Sequence, residues 1–196
     1  MKRYFALLRG INISGKNKIA MSELKKGFSE IGFVEVTSYL NSGNIIFSSS
    51  VDDKSILSNK IELMIKDRFD LDIPVFITLQ EELIDILDNA PDWWGDDNKE
   101  IYDNLIFIMP LISSQDIYDE IGEPKVEFET VCNYKNAIFW SFSRKDYQKT
   151  NWWSKTASSS ISDKITIRTA NTVRKIAGMW FEKNSNFMQY NTTKEL

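Results

Sequence analysis

The sequence predicts an α+β protein whose first part is a ferredoxin-like unit with an antiparallel sheet. Over residues 1–79, strand-like apolar runs and stretches of helical periodicity follow one another in the order βαββαβ. In a chain of that order, two helices cover one face of an antiparallel sheet. A second, smaller α+β unit packed on the first is predicted over residues 80–183, and a polar C-terminal tail over residues 184–196.

Local patterns assign each element of the first unit. Apolar residues recur at helical spacing in two stretches, and short runs rich in β-branched and aromatic residues separate them. Asn41-Ser42-Gly43-Asn44 is a hairpin turn signal between the second and third strands. The predicted elements are a strand at Tyr4–Leu8, a helix from Met21 to Ile31, strands at Val34–Leu40 and Ile45–Ser49, a helix at Lys54–Phe69 and a strand at Val75–Thr78.

The second unit is predicted to follow a β-α-β-β-α-α order that loosely echoes the first, although the halves share no sequence repeat. A helix at Leu79–Asp88, with a capping box of Thr78 and Glu81, is predicted to join the units. The tryptophan pairs at residues 93–94 and 152–153 are predicted to pack against the body. The remaining predicted elements are strands at Leu105–Met109, Lys125–Val131 and Ala137–Phe142, and helices at Ser114–Ile121, Asn151–Ile161 and Ala170–Lys183.

Composition excludes several classes of function. The chain has 196 residues and no histidine, which rules out Ser-His-Asp and Cys-His catalysis, imidazole acid–base chemistry and His-ligated zinc. Its single cysteine, Cys132, cannot form an internal disulfide, so we expect a reducing cytoplasm. The longest apolar run, Leu105–Ile112, is too short to span a bilayer, and the first ten residues lack a signal-peptide pattern. We therefore expect no membrane association.

The net charge of −4 conceals an uneven distribution of charge along the chain. Residues 1–51 carry seven basic and three acidic side chains, residues 52–129 carry six and twenty-one, and residues 144–183 carry nine and three. An acidic protein is a poor indiscriminate binder of nucleic acid, but one of its faces can still be basic. The acidic middle is either a solvated surface or a contact surface for a partner.

The loop from Arg9 to Lys18 carries the densest chemical signal in the sequence. It combines two glycines, three cationic side chains and two asparagines, which suit a turn that exposes backbone N–H groups beside positive charge. We predict that this loop binds an anion; the alternative is a structural loop whose asparagines bond to its own backbone. The predicted anion-binding residues in the loop are Arg9, Gly10, Asn12, Gly15, Lys16, Asn17 and Lys18.

The same loop nearly matches a phosphate-binding P-loop, through Gly10, Gly15 and Lys16. A P-loop needs Ser or Thr for magnesium at the next position, where this chain has Asn17, and its helix begins at once, whereas here it begins several residues later. No strand with a terminal aspartate is evident to hold the metal from the other side. These departures argue against a nucleoside triphosphatase.

A second basic element spans Thr166–Lys175. Thr169 or Asn171 can cap the final helix, and a capped helix N-terminus beside Arg168 is a suitable place for an anion. The alternative is an ordinary capped helix with solvated basic residues. The predicted anion-binding residues in this element are Arg168, Asn171, Thr172 and Lys175.

Three motifs together resemble the bacterial family called domain of unknown function 1697 (DUF1697). They are Leu8-Arg9-Gly10-Ile11-Asn12 with Gly15-Lys16-Asn17-Lys18 and Met21, then Ser42-Gly43-Asn44, then the segment from Arg168 to Lys175. The resemblance implies a two-unit α+β protein with a ferredoxin-like first part and brings no established activity. This chain has Thr169-Ala170 where the family has Asn-Trp, and Ala20 where the family often has proline.

The predicted function is that of a cytoplasmic protein that binds a phosphate-bearing ligand, either a nucleotide or a nucleic acid. One alternative is an enzyme that holds a phosphate- or carboxylate-bearing substrate in the same pocket; another is a protein-interaction module. The acidic loop at Asp92–Glu100 offers oxygens for a hard cation but lacks the spacing of an EF-hand, so no metal or cofactor is predicted.

Overall fold

The computed structural model describes residues 1–96 and 98–179 and confirms the α+β class. Its first sheet has the strand order β2-β3-β1-β4, and every neighbouring pair is antiparallel. With two helices on one face, this is the predicted ferredoxin-like βαββαβ unit. Its elements are β1 (Lys2–Leu8), α1 (Met21–Glu30), β2 (Val34–Tyr39), β3 (Asn44–Ser49), α2 (Lys54–Phe69) and β4 (Val75–Leu79), and α3 (Gln80–Asp88) follows it.

The second unit repeats the same topology. Its sheet has the strand order β6-β7-β5-β8, which is the order of the first sheet with each label raised by four. Its elements are β5 (Ile101–Ile108), α4 (Ser114–Ile121), β6 (Glu129–Tyr134), β7 (Ala137–Ser143), α5 (Trp152–Ser158) and β8 (Ile165–Thr169), followed by a helix over residues 170–179, here called α6. Each unit is therefore βαββαβ with one further helix after its last strand.

The prediction of a β-α-β-β-α-α order is wrong because it omitted β8. This edge strand has only five residues and directly precedes α6, so its basic and hydroxyl side chains were assigned to the start of the helix. The predicted strand at Lys125–Val131 also begins too early, since β6 begins at Glu129. The part of the predicted last helix beyond residue 179, and the polar tail at 184–196, lie outside the described residues.

The two sheets face each other across a shared apolar core. Residues of β1, β3 and β4 contact residues of β5 and β7 there, and the rings of Phe76 and Phe107 lie 5.1 Å apart. The helices α3 and α6 contribute to the same core through residues such as Leu83 and Val173. The other helices cover the outer faces, α1 and α2 on the first sheet and α4 and α5 on the second.

Side chains at the helix starts fix where two of the helices begin. Asp53 caps α2 by accepting hydrogen bonds from the N–H groups of Ser55 and Ile56. The capping box predicted for α3 from Thr78 and Glu81 is wrong by one residue. Instead, Glu82 accepts hydrogen bonds from the Leu79 N–H at 3.0 Å and the Thr78 hydroxyl at 3.1 Å.

Within the part of the chain that the structure describes, no helix has the length and apolar character needed to cross a membrane.

Candidate functional site

The Arg9–Lys18 loop is held in shape by its own asparagines. Asn12 donates to the carbonyls of Ile19 at 3.0 Å and Asn41 at 2.8 Å, and its Oδ1 accepts from the Ile19 N–H. Asn17 donates to the Gly10 carbonyl at 3.0 Å. Both asparagines have positive φ angles, which Asn tolerates better than most residues. Their amide groups therefore shape the loop through backbone contacts.

The lysines of the loop lie apart from its beginning. Lys16 and Lys18 are exposed, and Lys18 lines an open hollow at the start of α1 together with Asn12 and Gly15. Arg9 and Gly10, in contrast, line a different cavity beside β8. The predicted anion-binding residues of the loop are thus divided between two places on the surface.

Arg168 is the most deeply buried cationic group of the site. It lies in β8 with 9% of its surface exposed, and burial lowers the pKa of its guanidinium to about 10. No carboxylate forms an ion pair with it among the described residues. Its positive charge is stabilised by the dipoles of uncharged oxygen groups.

All three guanidinium nitrogens of Arg168 donate to oxygens of the protein. Nε donates to Asn44 Oδ1 at 2.5 Å, and Nη1 donates to the Thr166 hydroxyl and the Ile167 carbonyl, both at 2.8 Å. Nη2 donates to the carbonyls of Leu8 at 2.8 Å and Ser42 at 3.2 Å. Arg168 therefore ties the edge of the second sheet to the β2–β3 turn and the end of β1 in the first.

Arg9 approaches β8 from the other unit. Its Nε donates to the Ile165 carbonyl at 3.0 Å, and no other hydrogen bond of its guanidinium is found among the described residues. Burial lowers the pKa of Arg9, while the negative charge of Asp163 opposes that change. The two terminal nitrogens of Arg9 thus remain as donors for a ligand.

These two arginines border a cavity of about 480 Å³ between the loop, β8 and α5. Arg9 and Arg168 supply the only charged side chains among the described residues that line it. The volume falls within the range of small-molecule sites, roughly 300–1,000 Å³. The other lining residues are Gly10, Ile13, Asn104, Trp140, Trp153, Ser154, Thr156, Ala157, Ser162, Ile165, Thr166 and Ile167.

The N-terminus of α6 lies outside this cavity. Thr169 caps the helix by accepting the Thr172 N–H at 3.4 Å, as predicted for one of the two candidate caps. Asn171 is exposed and lines a smaller cavity of about 170 Å³, whose lining also includes Asp96 and Asp103. Lys175 is exposed on α6 and belongs to neither lining.

The sequence reasoning missed the residues that α5 and β5 bring to the cavity. Trp152 is fully buried, as predicted, but its neighbour Trp153 is 42% exposed and lines the cavity. Asn104 and Thr156 carried no sequence signal, because only the packing of α5 against the second sheet places them there. The alternation of Ile and polar residues in β8 was the one local signal that could have predicted this strand.

The fold and the site together define a class of protein. It is an α+β protein of two ferredoxin-like units, in which a loop of the first unit and the edge strand of the second enclose an arginine-bearing cavity.

The chain belongs to the family described as Protein of unknown function (DUF1697), whose family model matches residues 1–139. This confirms the resemblance seen in the sequence, although the Arg168–Lys175 motif lies beyond the matched residues. The solved structure of the conserved bacterial protein SP0830 from Streptococcus pneumoniae is similar to this chain, with a TM-score of 0.79 and 32% sequence identity. The similarity covers 91% of this chain and 98% of that one. No protein with a curated description matches the chain.

Proposed function

We propose that the protein binds a small phosphate-bearing ligand in the cavity between Arg9 and β8. The observation that carries this proposal is the hydrogen bonding of the backbone groups on the outer edge of β8. Its outward carbonyls accept hydrogen bonds from the two arginines, whereas no acceptor is found among the described residues for its outward N–H groups, which belong to the lining residues Ile165 and Ile167. An edge of this kind presents donors and positive charge together, which is the requirement for anion binding.

The direction of these groups follows from the pairing of β5 with β8. The register pairs Ile106 with Ile167 and Ile108 with Ile165, and the Met109 N–H donates to the Lys164 carbonyl at 2.9 Å. Because bonded and non-bonded pairs alternate in an antiparallel ladder, Ile165 and Ile167 point their N–H and C=O groups away from β5. The bonds from Arg9 and Arg168 to these two carbonyls agree with that direction.

The two arginines have different roles in the proposed site. The terminal nitrogens of Arg9 contact the anion directly, together with the N–H groups of Ile165 and Ile167. Arg168 has its guanidinium nitrogens engaged and contributes its charge at close range. In a partly buried cavity such a charge is screened less than one on the surface. The hydroxyl group of Ser162, which also lines the cavity, supplies a further hydrogen bond to the ligand.

The alternative functions are less well supported by this geometry. An extended peptide would need the edge carbonyls as acceptors, but the arginines occupy them, so strand addition to β8 is disfavoured. An enzyme would need a general base, and none of the described residues that line the cavity is acidic. The cavity also has the size of a mononucleotide site rather than of a groove for a nucleic-acid strand.

The proposal is tested by titration calorimetry with inorganic phosphate, pyrophosphate and adenosine 5′-monophosphate. Replacing Arg9 with Gln removes a charge-assisted hydrogen-bond donor worth about 1.5–3 kcal/mol, so affinity is expected to fall by about ten- to a hundredfold. The matched control is Lys60→Gln, which removes one positive charge from the exposed surface of α2. The dependence of affinity on salt should also become weaker in Arg9→Gln but not in the control.

Two results would contradict the proposal. One is that none of the three anions binds to the folded wild-type protein at millimolar concentration. The other is equal affinity of Arg9→Gln and Lys60→Gln for an anion that does bind, since this would place the anion elsewhere on the surface.

A further inference from the structure

The lining of the cavity includes a buried carboxamide that makes few hydrogen bonds. Asn104 lies in β5 and is 8% exposed. Its side chain makes one long hydrogen bond, from Nδ2 to the Tyr102 carbonyl at 3.5 Å, and its Oδ1 accepts none from the described residues. Buried amide groups usually have their hydrogen bonds satisfied. One N–H and one oxygen of Asn104 are therefore available to a ligand.

A comparison of the two units indicates that the open space beside Asn104 is specific to the second unit. In the first sheet Tyr4 pairs with Phe47 on one side and Leu79 on the other. In the second sheet Asn104 pairs with Trp140 and Thr169 in the corresponding register. Asn104 thus occupies the position of Tyr4.

Ring contacts distinguish the two positions. Tyr4 is fully buried and stacks on Phe47 with their centroids 5.6 Å apart, so an aromatic ring fills the first unit at this point. Asn104 has no ring, and it borders the cavity with its partner Trp140. A planar ring that is missing from the chain here can be supplied by a ligand.

Trp153 gives this space an aromatic wall. It is held in place by ring contacts with Phe142 at 5.5 Å and Tyr147 at 5.0 Å, and 42% of it remains exposed. An indole that is held by its neighbours, is partly exposed and lines the cavity is suited to stacking on a flat heterocycle.

From the juxtaposition of Asn104 and Trp153 in one cavity with Arg9, we infer that the ligand is a mononucleotide whose base is recognised by the Asn104 carboxamide. An Asn side chain forms a two-point contact with a base edge that offers a donor beside an acceptor, as the adenine edge does. The base stacks on Trp153, and the phosphate lies at Arg9 and the edge of β8. This inference rests on the proposed function, because the phosphate position is taken from it.

The experiment compares adenosine 5′-monophosphate, adenosine and ribose 5-phosphate, with tryptophan fluorescence and titration calorimetry as readouts. The inference predicts that the mononucleotide binds at least tenfold more tightly than ribose 5-phosphate. Asn104→Ala should remove most of that difference and leave the affinity for ribose 5-phosphate unchanged. The matched control is Asn133→Ala, which removes an exposed carboxamide from β6 in the same sheet.

A second variant covers the case in which Asn104→Ala fails to fold. Trp153→Leu removes the aromatic wall, and affinity for the mononucleotide should fall at least fivefold while that for ribose 5-phosphate is retained. Thermal unfolding of each variant establishes that it is folded before titration.

The outcomes separate this inference from the proposed function. Equal binding of ribose 5-phosphate and the mononucleotide, unaffected by either variant, would overturn base recognition and leave anion binding intact. Adenosine binding that depends on Asn104, with no contribution from phosphate or Arg9, would support base recognition and contradict the anion site. Equal loss of all three ligands in both folded variants would also overturn base recognition.

Discussion

Replacement of Arg168 by Met tests whether the hydrogen bonds of its buried guanidinium stabilise the fold. Arg168 joins the second sheet to Asn44, Leu8 and Ser42 of the first unit, as described above. Met keeps the length and apolar stem of the side chain but removes every donor and the charge. The variant therefore reports what the buried guanidinium contributes to stability.

Two opposing terms set the size of the effect. The lowered pKa of Arg168, about 10, means that burial of its charge already costs about 3 kcal/mol, which the variant recovers. Against this, the carbonyls of Leu8, Ser42 and Ile167 lose a donor. The bonds to Leu8 and Asn44 are buried, and each acceptor left unsatisfied there costs about 1–3 kcal/mol. The bonds to Ser42 and Ile167 are only partly buried, so their carbonyls cost less. We expect the unsatisfied acceptors to outweigh the recovered charge, for a net loss of about 1–4 kcal/mol.

Urea unfolding followed by tryptophan fluorescence and far-ultraviolet circular dichroism measures this loss. Arg168→Lys is the companion variant, because it keeps the charge and loses the planar arrangement of donors. It should be destabilised as well, while its affinity for anions at the Arg9 site is retained. A net change below about 1 kcal/mol for Arg168→Met, or a gain in stability, would refute the reasoning. The first result would mean that the cost of burying the charge nearly cancels the return from its hydrogen bonds, and the second that this cost is the larger of the two.

Two further predictions concern the turn beneath Arg168 and the start of α3. Gly43→Ala should lower the free energy of unfolding by about 2–4 kcal/mol in urea titrations, because φ is +79° and a Cβ would lie 2.7 Å from Leu8 Cβ. Gly15→Ala, at φ +78° with open space around it, should cost only about 1 kcal/mol, and equal losses would contradict the steric argument. At Glu82, burial alone would raise the pKa, but hydrogen bonds from Lys54 and the Leu79 N–H outweigh it and lower the pKa. Its stabilising contribution is thus present above the unfolded pKa, about 4.3, and is lost as the pH falls through the folded pKa. Urea unfolding between pH 3 and 6 should show that the free energy of unfolding falls less with acidification in Glu82→Gln than in the wild type, by less than about 1 kcal/mol. An unchanged pH profile would exclude a stabilising role of the Glu82 carboxylate.

The α+β class and the first unit could be predicted because each element there has a strong local signal. The helix over Lys54–Phe69 was predicted with its observed bounds, since its apolar stripe and the Asp53 cap are local features. The hairpin turn before Asn44 follows from its own residues in the same way. In the second unit β8 was missed, because a five-residue edge strand beside a helix start has too few residues to show a clear alternation of apolar and polar side chains.

The candidate site was predicted only in part. Arg9, Gly10 and Arg168 were named from the sequence, and the structure brings all three to one cavity. Lys18 and Asn171 were named by the same reasoning, but they line other hollows. The sequence shows which polar and charged residues lie near a glycine or a helix start. It does not show which surface of the folded protein they reach.

The sequence by itself determined the class of fold, the first βαββαβ unit and the two basic segments, since these depend on local periodicity, turns and composition. Only the tertiary structure decided that the second unit repeats the first and that Arg168 is buried against carbonyls of both units. It also decided that Asn104 stands where the first unit has Tyr4. The physical reason is that sheet register and the packing of one unit on the other join residues up to 160 positions apart, and no local pattern encodes such contacts.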